Sequence, residues 1–111
     1  MPMGLAGFVP VLVRGPSMAP TLRDGDAVLA RYGGRPPRPG DIVLARFRSR
    51  PELLVVKRLV RREGSGWWLR GDNEFVADDS RAYGVADVEA RVLLRWWPRP
   101  GRLPPAVRPS G

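Results

Sequence analysis

Asp41-Ile42-Val43-Leu44-Ala45-Arg46-Phe47 and Leu53-Leu54-Val55-Val56-Lys57-Arg58-Leu59-Val60 are two apolar runs separated by a short polar link. Both read as strands, the second the longest in the chain, and no window around them carries a long helical period. Similar runs flank them. Phe8 to Arg14 leads into Gly15-Pro16, Ala27 to Tyr32 follows the Asp24-Gly25-Asp26 turn, Trp67 to Arg70 is short, and Val88 to Trp97 is a last strand or strand pair. Gly33 to Gly40 (GGRPPRPG) is a loop by composition, and Met18 to Leu22 has room for one helical turn. Short strands with turn signals at this spacing predict an all-β sandwich or open barrel. The 111 residues allow one domain, expected over residues 1–97, with a Pro- and Arg-rich tail over 98–111 expected to be mobile.

Composition removes several function classes. The chain has no cysteine and no histidine. A disulfide framework is impossible, the usual transition-metal ligand sets are missing, and no cofactor is expected. Catalysis through an imidazole base is excluded. The net charge of +8 suggests an anionic partner or a solvated basic surface. Nucleic acid is set aside, because neither a helix-turn-helix pattern nor a basic-aromatic stacking strand stands out. Leu5 to Val13 is too short to span a bilayer. Cytoplasmic residence is the default, and peripheral membrane contact through Trp67-Trp68 or Trp96-Trp97 stays open, although one tryptophan of each pair is more simply core. The 19 basic residues are 18 arginines and one lysine, Lys57. Arginine stays protonated, whereas a desolvated lysine can lose its proton and act as a base.

Three segments carry possible chemistry. In Gly15-Pro16-Ser17-Met18-Ala19-Pro20-Thr21-Leu22 a serine follows a strand directly, where its hydroxyl and nearby backbone N–H groups can share one space. A loop serine or a helix N-cap explains the same residues. Strand alternation sets Lys57 on one face with Leu53, Val55 and Leu59, and Arg58 on the other. Apolar neighbours disfavour the charged amine, so Lys57 is a candidate base for Ser17 or simply a snorkelling lysine. The third segment is Gly71-Asp72-Asn73 with Asp79-Ser80-Arg81 and Tyr83-Gly84. It is turn chemistry in which Asp79 and Arg81 can pair.

The order G-x-S-M-x-P-T-L, P-G-D-I-V, V-V-K-R-L and G-D-N…D-D-S-R-x-Y-G resembles the type I signal peptidases. That resemblance implies a fold of coiled antiparallel β-sheets, shared with self-cleaving repressors. It implies Ser17 as nucleophile, its backbone N–H as an oxyanion donor, and Lys57 as general base. Gly71, Asp72, Asn73, Asp79, Ser80 and Arg81 then form a structural box beside the dyad. Two positions depart from the pattern: Gly15 replaces a hydroxyl residue that aids the oxyanion, and Ala77 replaces a serine that orients the lysine. Only thirteen residues separate Lys57 from Gly71. This brevity is similar to the small maturation proteases of nickel superoxide dismutase. It implies a precursor polypeptide as partner, with exported preproteins or self-cleavage as the alternatives.

Overall fold

A computed structural model describes residues 7–104. Its elements are β1 (Phe8–Leu12), β2 (Ala27–Arg31), β3 (Ile42–Phe47), β4 (Arg50–Glu63), β5 (Gly66–Arg70), α1 (Ser80–Tyr83), β6 (Ala86–Trp97) and β7 (Gly101–Arg102). The strands form one antiparallel sheet in the order β1-β2-β6-β3-β4-β5, with β7 added to β6. The expected all-β architecture is the one observed.

β3 shows why the sheet coils. Ile42, Val43, Leu44, Ala45 and Phe47 are all nearly inaccessible to solvent. Successive strand residues point to opposite faces, so both faces of β3 need cover. Two separate cores supply it. Ile42 and Leu44 pack with Val28, Val92 and, from the loop after β1, Met18 and Leu22. Val43, Ala45 and Phe47 pack with Leu59, Leu69 and Ala86. β6 serves both cores: its first half pairs with β3 and its second half with β2, the changeover falling at Arg91. One β5–β6 pair, Trp67 with Ala86, closes β6, β3, β4 and β5 around the second core. With one four-residue helix among the described residues there is little else to lay over a flat sheet, so the twisted sheet covers itself.

Several boundaries differ from expectation. Residues 17–21 form successive turns with one helix-like bond, Leu22 N–H to Met18 C=O at 2.9 Å. The helix proper lies in the Gly- and Asp-rich stretch, where four residues are too few to show a period. Asp79 caps it by accepting from Arg81 N–H. Chain order does not stop at Trp97: Gly101 and Arg102 pair with Arg95 and Leu94, and Leu103 packs on the first core. Residues 1–6 and 105–111 lie outside the described residues. Trp67 packs on the second core as expected, but Trp96 and Trp97 are both about half exposed. Among the described residues, no helix is long and apolar enough to cross a membrane.

Candidate active site

Ser17 owes its position to the residues on either side of it. Gly15 takes a positive φ of 82°, a turn that a side chain would strain, and its N–H donates to Asp24 at 2.8 Å. Met18 and Leu22 plunge into the first core with no appreciable exposure. Each such burial is worth about 1.5–3 kcal/mol, enough to pin the half-buried Ser17 between them and the turn. The Ser17 C=O accepts from Asn73 N–H at 2.9 Å, and the Pro16 C=O accepts from Asn73 Nδ2 at 3.0 Å. Gly71 lies so close that a Cβ there would stand 2.5 Å from the Ser17 carbonyl oxygen. Glycine is required at this position by the approach of the serine loop.

Lys57 sits in β4 opposite Val43 and is 4% exposed. Its face carries Val55 and Leu59, both in the second core. Leu53, expected on the same face, is exposed, because β4 extends beyond that core. Burial pushes the Lys57 amine below its ordinary pKa, and the nearby Asp78 and Asp79 carboxylates oppose that shift only in part. The β4–β5 ladder pairs Arg58 with Arg70. That pair ends the ladder one residue short of Lys57 and Gly71. The serine loop and the Gly-Asp-Asn turn meet at Gly71, and Asp79, whose carboxylate acts on Lys57, accepts from the Gly71 N–H.

The box residues hold this junction. Asp72 accepts from Arg58 Nη2 at 2.6 Å and Nε at 3.1 Å, and from the Thr21 hydroxyl at 2.6 Å. Arg58 Nη1 also donates to the Gly40 C=O at 2.8 Å. One carboxylate thus ties β4, the serine loop and the loop before β3. Asp79 is fully buried. It accepts from Gly71 N–H at 2.9 Å and from Arg81 Nε and Nη2 at 2.9 and 2.8 Å. Burial pushes its carboxyl up, but these donors outweigh burial and hold it below the usual carboxylate range. Ser80 accepts from Leu69 N–H at 2.8 Å, which anchors the helix to β5. Arg58 and Thr21 did not stand out in the sequence. The only signal for Arg58 was its place beside Lys57 on the opposite face of the strand.

The Ser17 hydroxyl and the Lys57 amine are not hydrogen-bonded to each other in this structure. Neither group bonds another described side chain. The Ser17 N–H likewise has no acceptor among the described residues, whereas the Gly15 N–H is taken by Asp24. The Gly15 amide is therefore not free to meet an anion, while those of Ser17 and Met18 have no acceptor among the described residues. Two surface recesses surround Arg35 and Arg91, and neither is lined by Ser17 or Lys57. Beside the lysine the surface offers a strand edge instead of a pocket. From Arg50 to Lys57 the β5 side of β4 has no strand partner among the described residues.

A family model described as Peptidase S24-like matches residues 8–92, which spans all three motif segments. No curated protein matches the chain.

Proposed function

Because this chain belongs to the Peptidase S24-like family, we propose that it is a serine endopeptidase with Ser17 as nucleophile and Lys57 as general base. Serine peptidase or self-cleaving-repressor chemistry is what membership brings. The residue roles and the substrate are our reading. One observation carries the roles. The only lysine of the chain is buried among aliphatic side chains, near the carboxylate of Asp79 that holds Gly71, the glycine packed against Ser17. Such an amine gives up its proton more readily than an exposed lysine does and can then take one from a serine nucleophile.

In the first step the Ser17 Oγ attacks the scissile carbonyl carbon while Lys57 Nζ takes the hydroxyl proton. The Ser17 N–H faces the oxyanion. Lys57 then delivers that proton to the leaving amine as the C–N bond breaks, leaving an ester on Ser17. Water attacks the ester, Lys57 accepts its proton and returns it to Ser17, and the acid product leaves. The open β4 edge suits a substrate that lies extended and pairs through its backbone.

For substrate we propose a precursor protein whose N-terminal extension is removed in the cytoplasm, nickel superoxide dismutase being the candidate. The short Lys57–Gly71 connection supports it through its likeness to the small maturation proteases. Mixing the purified protein with that precursor should give a shortened N-terminus by intact-mass spectrometry, and the Ser17→Ala protein should give none. Equal trimming by Ser17→Ala would end the dyad reading. The family match also favours a second reading, cleavage of the chain's own backbone. Incubation of the protein alone at alkaline pH, with a shortened chain as product, would select it.

A further inference from the structure

Arg31 and Arg91 stand directly opposite each other in the β2–β6 ladder. Like charges in that relation destabilise a sheet. Arg35 and Arg38 reach the same place from the Gly33–Gly40 loop, and both press electrostatically on Arg91. Besides Glu89, which borders Arg31 and Arg91 but is paired with Arg46 at 2.6 Å, one carboxylate, Asp41, answers this group of four guanidinium groups. It is engaged by the Arg35 fork at 2.9 Å and by Arg38 N–H at 2.8 Å. Among the described residues, the side chains of Arg31, Arg38 and Arg91 donate no hydrogen bond. The Nε of Arg91 is buried without a partner, and its Nη2 lies against Gly34. A recess of about 350 Å³ opens beside Arg91 and Arg35, floored by Ile42 and Val92. The two arginines also border a smaller one of about 190 Å³ reached by Arg31.

We propose that a phosphate-type oxyanion binds at Arg91, which borders both recesses, and is held there also by Arg31 from the smaller one. Planar guanidinium forks fit carboxylates and phosphates, and two of them, Arg31 and Arg91, without carboxylate partners favour a dianion over a single carboxylate. An anion there cancels the Arg31–Arg91 repulsion that the fold otherwise retains. It also gives the +8 balance of the chain a location. Arg58 lines the larger recess but is committed to Asp72 and Gly40, so it belongs to the serine-loop network and not to the ligand. The inference does not rest on the peptidase reading, since neither recess touches Ser17 or Lys57.

The test titrates the full chain with inorganic phosphate at low ionic strength, following backbone amides by nuclear magnetic resonance. Saturable shifts confined to residues 31–41 and 88–92 are expected, with a rise in Tm that salt suppresses. Arg91→Gln should weaken binding about tenfold or more, Arg91→Lys should fall between, and Arg61→Gln at a distant hairpin should change nothing. Should Arg91→Gln fail to fold, Arg31→Gln takes its place, with a smaller loss expected. Ser17→Ala should bind as the wild type does. A second arm uses phosphatidylcholine vesicles with and without phosphatidylglycerol. Arginine-dependent binding of free phosphate identifies a soluble ligand, and the same dependence seen only with anionic vesicles identifies a lipid headgroup. Equal affinity in the arginine variants, shifts scattered over the whole basic surface, or binding in neither arm would overturn the proposal.

Discussion

Lys57 and Arg58 are neighbours in one strand with nearly the same exposure, 4% and 5%, yet the fold treats their charges in opposite ways. Arg58 points to the side of Ile42 and finds a carboxylate and a carbonyl for its forks. Lys57 points to the side of Val43 and finds aliphatic side chains, with Asp78 and Asp79 acting only electrostatically. A buried cation with matched partners holds elements together. A buried cation without them is pushed toward neutrality and becomes able to accept a proton. The same contrast separates Arg58 from Arg91, whose guanidinium lacks the carboxylate that Arg58 has.

The comparison breaks most sharply at the dyad. Ser17→Ala and Lys57→Arg should each lower peptide cleavage at least about a thousandfold while the circular dichroism spectrum stays native. Lys57→Arg is the cleaner variant, since it keeps the charge and removes the ability to lose it. The next effect falls on Arg58. Asp72→Asn strands that guanidinium and should cost about 3–5 kcal/mol, read from the urea midpoint. Arg58→Met combined with Asp72→Leu should recover most of that loss, because the destabilisation comes from the orphaned charge. Cleavage by Asp72→Asn should fall too, as Thr21 loses its partner and the serine loop loosens.

A pH profile sharpens the contrast further. kcat/KM should rise with pH along a limb set by Lys57, with its midpoint below 10.5 because burial lowers that pKa. The smallest effect is on stability. In the window between the lowered folded pKa and 10.5, the unfolded chain holds the Lys57 proton that the folded chain has released. Lys57 therefore makes stability increase as pH climbs through that window. Lys57→Met should be slightly more stable than wild type below the window and should lose this increase. A pH-independent difference between the two melting temperatures would contradict a desolvated lysine.

Much of the fold was legible because alternation and turn residues act locally. Asp41–Phe47 reads as a strand, and Gly15-Pro16, Asp24-Gly25-Asp26 and the Gly33–Gly40 loop mark where the chain turns. The helix at Ser80–Tyr83 was not legible: four residues carry no period, and its cap acts within a stretch that reads as turn. β7 was missed because Gly101 and Arg102 have no strand signal of their own. They pair because Arg95 and Leu94 present an open edge. Ser17 and Lys57 stood out as a rare residue type and a motif. The Asp72 hub and the Arg91 recess did not, since a guanidinium has the same composition whether a carboxylate faces it or another guanidinium does.

By itself the sequence removed an imidazole base and made the one lysine stand out among eighteen arginines, because guanidinium cannot act as a base. It also determined that strands and not helices would build the scaffold. Tertiary structure alone decided that Lys57 and Arg58, equally buried, would have opposite electrostatic environments. It alone brought Gly71 against Ser17, and it alone gathered Arg31 and Arg91 in one ladder. The reason is physical: propensity and alternation act over a few residues, whereas solvation and Coulomb energy depend on which distant groups the coiled sheet brings into contact.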